Sequence, residues 1–195
     1  YILLKLVIVW TGTDELFNTN YKDISLTILS PIARSVIKIQ EWDNEIAVLQ
    51  KMSDNNVGPE LIDHNLFKAI DINLGESRQR EDGGELKIGV IKMEYLNNYI
   101  TLDNLKKKIN LNDNKLLRKY ICDEIISKLR MMHYENICHG DLHTGNVLIN
   151  EESLDIKLID FGSSQNKEFT GETVWDKENE CSNNHKEIEE LCLSA

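Results

Sequence analysis

The chain has 195 residues, 41% of them hydrophobic, and a formal net charge of −11. This length fits one compact domain or two small lobes, and the apolar content is too high for a disordered chain. The acidic balance argues against a general nucleic-acid binder, because such proteins carry a basic face. We interpret the one basic run, Lys106–Lys108, as a solvated helix face.

The sequence indicates neither a membrane anchor nor a disulfide framework. The apolar opening from Ile2 to Trp10 is too short to cross a bilayer, contains Lys5 and lacks the cleavage site of a signal peptide, so it predicts a buried strand. Neither C-x-x-C nor zinc spacing occurs among the four cysteines, Cys122, Cys138, Cys181 and Cys192. We therefore expect no disulfide, and a reducing, cytoplasmic location is the default expectation.

The first half of the chain has the pattern of strands with one helix among them. The helix is predicted over 43–52, because Ile46, Leu49 and Met52 share one helical face. It ends at the breaker sequence 55–59, and a polar loop is predicted over 75–84. β-branched and apolar runs predict strands over 3–10, 24–29, 35–39, 67–72 and 86–93.

The second half has the pattern of helices followed by a hairpin. A helix is predicted over 101–109 with Thr101 as its N-cap, and a short one over 185–193. Strands over 147–149 and 156–159 form the hairpin. This order predicts an α+β fold with the sheet first and the helices second. The strongest helix is predicted over 114–133, with an apolar stripe made of Leu116, Leu117, Tyr120, Ile121, Ile125 and Leu129.

The hairpin and the loop before it carry the chemistry of the chain. Phosphoryl transfer needs a carboxylate near the attacking hydroxyl and oxygen ligands that hold a divalent metal on the phosphates. Asp141 lies in the loop, Asn146 opens the first hairpin strand, and Asp160 follows the second. A hairpin of this length brings Asn146 and Asp160 to one end, where both can face one metal. Gly162 is expected to let the chain turn sharply away.

The arrangement resembles the protein-kinase superfamily, in which a catalytic loop of the form H-x-D-x-x-x-x-N precedes D-F-G. Here the loop is 139–146 and the D-F-G triplet is 160–162. The resemblance implies a bilobal fold: an antiparallel sheet lobe with one helix over 1–96, a hinge at 94–98, and a short, mainly helical lobe over 97–195. It implies Asp141 as catalytic base or hydroxyl-orienting residue, His139 as support of the loop, and Asn146 and Asp160 as ligands of Mg²⁺ or Mn²⁺ on ATP.

Upstream residues extend the resemblance. Lys38, in Val-Ile-Lys on a predicted strand, corresponds to the lysine that binds the ATP phosphates, and Glu45 to its ion-pair partner. Only seven positions separate Lys38 from Glu45, fewer than in typical kinases, and Glu41 is a competing partner. At the predicted hinge, Met93 resembles the gatekeeper. The backbones of Glu94 and Leu96 resemble the adenine contacts.

The chain departs from typical protein kinases in several places. No G-x-G-x-x-G is present, and its expected place holds only Thr-Gly-Thr at 11–13. Gly140 stands where the arginine before the catalytic aspartate is found, and His143 stands where a lysine is typical. No A-P-E motif follows Gly162. The string His-Gly-Asp-Leu-His-x-Gly-Asn is more similar to aminoglycoside, choline and lipopolysaccharide kinases and to the small kinase of the tRNA-threonylcarbamoyladenosine complex.

The function predicted from these residues is a protein serine/threonine kinase that moves the γ-phosphate of ATP to a hydroxyl. Its expected partners are ATP, a protein substrate and a complex partner, with no membrane and no nucleic acid as direct ligand. Two alternatives stay open: a small-molecule kinase of the aminoglycoside or choline kinase type, and a pseudokinase or ATPase subunit within a complex.

Overall fold

The fold is described from a computed structural model, which divides into two compact units. The first comprises Tyr1–Ile46 and Leu61–Glu94, and the second Ala47–Glu60 and Tyr95–Ala195. The structure describes residues 2–11, 36–68, 86–166 and 186–193. The strand predicted over 24–29, the loop over 75–84 and most of the strand predicted over 67–72 lie outside these ranges.

The first unit contains a four-stranded sheet of order β2–β1–β4–β3. Isoleucine and valine, whose β-branched side chains favour strands, recur in both β1 and β4. The strand predicted over 3–10 is confirmed, but only its second half, Val7–Val9, is buried; Ile2–Leu4 is exposed. The strands are β1 (Ile2–Trp10), β2 (Val36–Lys38), β3 (Leu61–Lys68) and β4 (Leu86–Glu94).

Two features of this sheet differ from the prediction. Strands β1 and β3 pair antiparallel with β4, but β2 runs parallel to β1. The stretch between Trp10 and Val36 is long enough for the crossover that a parallel pair needs. Strand β3 begins at Leu61, six residues before the predicted strand, although it contains Asp63, His64 and Asn65. Backbone pairing with β4 forms this edge strand despite its weak β-propensity.

Helix α1 (Ile39–Asp54) begins four residues before the predicted start. The backbone N–H of Lys38 donates to Glu41 Oε2 at 2.9 Å, the reciprocal half of a capping box. The Glu41 carboxylate therefore caps the start of the helix and accepts from the Lys38 backbone, not from its side chain. On the buried face of α1, the Trp42 ring occupies the space beside Gly89 of β4, where a Cβ would lie 2.4 Å from it.

The second unit begins with β5 (Tyr99–Thr101) and two helices, α2 (Leu102–Lys108) and α3 (Lys115–Tyr134). Both predicted helices are confirmed, and Thr101 caps α2 by accepting the N–H of Asn104 at 3.2 Å. Strand β5 pairs with the hairpin of β7 (Val147–Asn150) and β8 (Ile156–Leu158), which is also confirmed. Strand β6 (Ile137–Cys138) pairs with β9 (Gln165–Asn166).

The buried face of α3 is rotated from the predicted stripe. Leu116 is 84% exposed and Tyr120 is exposed, so the prediction was wrong for these two residues. Two long polar side chains replace them, because their tips find hydrogen-bond partners: Arg118 donates to Asn112 Oδ1 and Lys128 donates to the Asn56 carbonyl. The buried face is Arg118, Ile121, Cys122, Ile125, Lys128 and Met132.

The predicted C-terminal helix is present as α4 (Lys186–Leu193) and packs against α3. Cys122 of α3 forms a disulfide with Cys192 of α4, with their Cα atoms 5.6 Å apart, and Cys138 is also disulfide-bonded. The expectation of no disulfide was wrong, because the fold brings together cysteines separated by 70 positions, which no local spacing reveals. Across the described ranges, no helix is both long and apolar enough to span a bilayer.

Candidate active site

The loop that follows β6 is held by His139. The imidazole is fully buried, its Nε2 lies 3.0 Å from the Ile159 carbonyl, and its ring centroid lies 5.2 Å from that of Phe161. Ser164 Oγ donates to the His139 carbonyl at 3.0 Å. Burial lowers the pKa of His139, so the ring is neutral near pH 7 and its Nε2–H donates to Ile159. His139 thus holds the loop against Ile159 and Ser164.

Asn146 links the two ends of the loop and the hairpin. Its side-chain Nδ2 donates to the Asp141 carbonyl at 2.8 Å, and its backbone N–H donates to the His143 carbonyl at 2.9 Å. Ile159 N–H then donates to the Asn146 carbonyl at 3.0 Å. Ile159 is therefore held on both sides, by Asn146 and by His139. These bonds place the next residue, Asp160, beside the loop that carries Asp141.

Asp160 has a left-handed backbone, with φ 63° and ψ 67°. For a residue other than glycine this conformation costs about 1–2 kcal/mol. Such strain persists where surrounding structure over-determines it, and it is typical of functional sites. Gly162 follows in the 3₁₀ turn Phe161–Ser163 without positive φ, so the left-handed residue at this bend is Asp160.

Gly140 explains the absence of the arginine found before the aspartate in typical protein kinases. Its φ is 81°, and a Cβ placed on it would lie 2.0 Å from the Ser163 carbonyl oxygen. Neither an arginine nor any other side chain fits there without moving the backbone. The close approach of the loop and the segment after D-F-G depends on this glycine.

The side chains of Asn146 and Asp160 fit a divalent metal such as Mg²⁺. Carboxylate and amide oxygens are the donors that Mg²⁺ prefers, with phosphate oxygens and water completing the octahedron. Because the side-chain nitrogen of Asn146 donates to the Asp141 carbonyl, the side-chain oxygen of Asn146 is the atom that can serve as a metal ligand. No cluster of three His, Cys, Asp or Glu side chains suited to a metal occurs in the part of the chain that the structure describes. At a site built from Asp160 and Asn146, the phosphates of ATP would supply further oxygen ligands.

In the first unit, Glu45 of α1 pairs with Lys5 of β1. Lys5 Nζ lies 2.5 Å from Glu45 Oε1, and the Glu45 side chain is only 5% exposed. The predicted partner, Lys38, lies elsewhere: it pairs with Trp10 in the β1–β2 register, five residues along β1 from Lys5. At about 3.3 Å per residue, this separates the two lysines by roughly 16 Å along the sheet. The structure thus brings Glu45 together with Lys5 and not with Lys38.

Lys5 is a functional candidate that the sequence pattern did not indicate. Its signal was a single lysine inside an apolar strand, which requires a partner when the strand packs into a core. Without a tertiary contact, nothing in the sequence connected it to Glu45, 40 positions away.

The predicted adenine-contact residues lie where the sheet ends. Met93 is buried at the end of β4, and Glu94 is the last residue of that strand. Leu96 follows in the second unit, two residues past the boundary between Glu94 and Tyr95. The adenine contacts of these residues stay predictions.

Comparison with known proteins identifies the family. The family model described as the protein kinase domain matches residues 33–186. The serine/threonine-protein kinase mph1 of Schizosaccharomyces pombe is 34% identical over 126 residues, which is 64% of this chain and 16% of that protein. The probable serine/threonine-protein kinase mkcD of Dictyostelium discoideum is 40% identical over 70 residues, 36% of this chain and 10% of that protein.

Other matches are also partial. The dual specificity tyrosine-phosphorylation-regulated kinase 2 of Drosophila melanogaster is 34% identical over 109 residues, 49% of this chain and 15% of that protein. A solved structure, the Cydia pomonella granulovirus kinase PK-1, has a TM-score of 0.47 and 20% identity over 64% of this chain and 39% of that chain. The chain thus spans about a sixth or less of the length of these three curated relatives.

The predicted α+β fold and the resemblance to protein kinases are confirmed by the described elements and by the family model, which covers both the helix α1 and the whole catalytic loop. Kinases of this family use ATP and a divalent metal and act in general on protein substrates. The chain belongs to the protein kinase family.

Proposed function

We propose that this chain carries the catalytic machinery of an ATP-dependent protein serine/threonine kinase. The observation that carries the proposal is the hydrogen-bonded connection from Asp141 through Asn146 to Ile159, which sets Asp160 beside the catalytic loop. The names of the relatives, most of which are serine/threonine kinases, support the choice of substrate class.

In the proposed reaction, a substrate hydroxyl attacks the γ-phosphorus of ATP. The new bond joins the hydroxyl oxygen to phosphorus, and the bond from phosphorus to the β–γ bridging oxygen breaks, so that ADP leaves. The exposed carboxylate of Asp141 orients the hydroxyl and accepts its proton. Its position is set from the backbone side by the bond from Asn146.

Asn146 and Asp160 would hold the divalent metal, Mg²⁺ or Mn²⁺, which neutralises charge on the transferred phosphate when bound. We propose that Lys5, held by Glu45, provides the positive charge for the α- and β-phosphates. The sequence prediction gave this part to Lys38, and the two proposals make opposite predictions for single variants.

The experiment uses the purified chain with γ-labelled ATP, Mg²⁺ and a generic protein substrate. We expect label on the substrate, and we expect Asp141→Asn and Asp160→Ala to abolish it. Lys5→Met and Lys38→Met form a matched pair. If Lys5 binds the phosphates, the first variant loses activity on the order of a hundredfold or more and the second retains most of it.

Each other outcome has a distinct meaning. A loss confined to Lys38→Met would return the phosphate role to Lys38. Release of free phosphate without labelled protein would indicate an ATPase or a small-molecule kinase. No turnover, together with no ATP-dependent rise in melting temperature, would refute the enzyme and leave a pseudokinase.

The cytoplasmic location also stays a proposal, on the ground that a kinase draws on cytoplasmic ATP. The Cys122–Cys192 disulfide is instead typical of oxidising compartments. Trapping thiols with an alkylating reagent at cell lysis tests the location, because alkylated Cys122 and Cys192 support a reducing compartment and an intact disulfide contradicts one.

A further inference from the structure

Thr144, in the 3₁₀ turn that precedes β7, is held by carboxylates from two helices. Its hydroxyl donates to Asp103 Oδ1 of α2 at 2.5 Å and lies 3.0 Å from Glu187 Oε1 of α4. Its backbone N–H donates to Glu187 Oε2 at 3.0 Å. Thr144 itself is 1% exposed. We call Asp103, Thr144 and Glu187 the carboxylate clamp.

The clamp places two negative side chains on one hydroxyl, so it needs compensating charge. Lys106 of α2 supplies part of it, with its Nζ 3.8 Å from Glu187 Oε1. The Thr144 hydrogen bond lowers the pKa of Asp103, and the nearby positive charges of Lys107 and Lys106 lower it further. Lys108 of the same run also lies beside a carboxylate, with its Nζ 2.6 Å from Glu151 Oε1.

The clamp connects directly to the groups that carry the chemistry. Thr144 opens the turn Thr144–Asn146, and Asn146 at its end bonds the Asp141 carbonyl. The turn is tight, since Gly145 N–H donates to His143 Nδ1 at 3.1 Å. A displacement of Thr144 is therefore passed on to Asn146 and Asp141 within two or three residues.

Glu187 reaches the turn because α4 is fixed in place. Ile188 beside it is buried, and Cys192, in the last turn of α4, is joined to Cys122 of α3. The kinase family match ends at residue 186, so Glu187 lies beyond it. The contact is therefore a property of this chain that the family comparison does not cover.

We propose that Thr144 is a positioning residue, that Glu187 and Asp103 fix it from two helices, and that this clamp sets the catalytic geometry of Asp141 and Asn146. The proposal rests on the proposed kinase function. Helix α4 thereby contributes to catalysis without contacting the reactants.

The first test compares Thr144→Val with Thr144→Ser in the kinase assay. Valine keeps the shape and removes the hydroxyl, whereas serine restores it. We expect Thr144→Val to lower kcat on the order of tenfold, with KM for ATP changed less than about twofold, and Thr144→Ser to recover most of kcat. A purely structural role would lower the amount of folded protein and leave kcat per folded molecule unchanged.

The second test uses α4. Glu187→Ala removes the acceptor of the Thr144 N–H, and Glu189→Ala, an exposed glutamate two residues along the same helix, is the matched control. We expect Glu187→Ala to lower kcat as Thr144→Val does and to speed amide hydrogen exchange over 144–146 on the order of tenfold, while Glu189→Ala does neither. Glu187→Gln keeps an oxygen for the N–H and should recover part of both.

The exchange measurement separates this proposal from the proposed function, because it needs no ATP or metal. An inactive wild-type chain would refute the kinase, yet faster exchange in Glu187→Ala alone would still support the clamp. The clamp is overturned if Glu187→Ala matches the wild type in exchange, or if, with an active wild-type chain, Thr144→Ser has no higher kcat than Thr144→Val.

Discussion

Adding a single methyl group to Gly140 is expected to be strongly destabilising. The variant Gly140→Ala keeps a backbone with φ 81° and places a Cβ 2.0 Å from the Ser163 carbonyl oxygen and 2.7 Å from its carbonyl carbon. The left-handed backbone costs about 1–2 kcal/mol for alanine, and relieving the overlap costs about 1–3 kcal/mol more. The free energy of unfolding should therefore fall by about 2–5 kcal/mol.

Thermal unfolding followed by circular dichroism measures this loss. For a chain of this size, each kcal/mol lowers the melting temperature by about 2–4 °C, which gives a drop of about 4–20 °C. Gly162→Ala is the control: Gly162 is exposed and does not have positive φ, so its free energy of unfolding should change by less than about 1 kcal/mol. Equal melting temperatures for Gly140→Ala and the wild type would refute the packing argument.

Three further predictions concern the folded state. Burial lowers the pKa of His139 below 6.5, while the unfolded imidazole keeps its ordinary value. The contribution of His139 to the free energy of unfolding is therefore fully present above about pH 6.5 and is lost as the pH falls from there through the lower pKa of the folded state. In His139→Gln, the urea midpoint of unfolding should change less between pH 7.5 and 5.5 than in the wild type. An equal pH dependence in the two proteins would contradict this. Cys192→Ser should lower the free energy of unfolding by about 2–4 kcal/mol, since Cys122 and Cys192 close a long loop; an unchanged urea midpoint would exclude the disulfide. Gly89→Ala should cost about 1–3 kcal/mol in the same assay by pushing against the Trp42 ring, and an unaltered midpoint would show that the ring can move.

Local chemistry was well predicted from the sequence. Side-chain caps determine helix starts within a few residues, so Thr101 located α2. The apolar stripe over 114–133 located α3. Two short apolar strands separated by a turn located the β7–β8 hairpin. The spacing of Asp141, Asn146 and Asp160 on that hairpin then led to the kinase family.

Long-range partners were not predicted. Strand β3 forms because β4 offers it a hydrogen-bonding edge. The polar sequence of β3 does not by itself predict a strand. The kinase resemblance predicts Lys38 as the partner of Glu45, whereas the structure pairs Glu45 with Lys5 of β1. The Cys122–Cys192 bond likewise depends on where α4 packs.

By itself, the sequence determined the catalytic loop, the hairpin that presents Asp160 and the family to which the chain belongs, because these depend on residues within about twenty positions of one another. Only the tertiary structure decided that Gly140 must lack a side chain, which lysine holds Glu45 and that Thr144 is held by Asp103 and Glu187. Each of these contacts joins residues from separate elements, and their energies depend on distances that the chain acquires only when those elements pack.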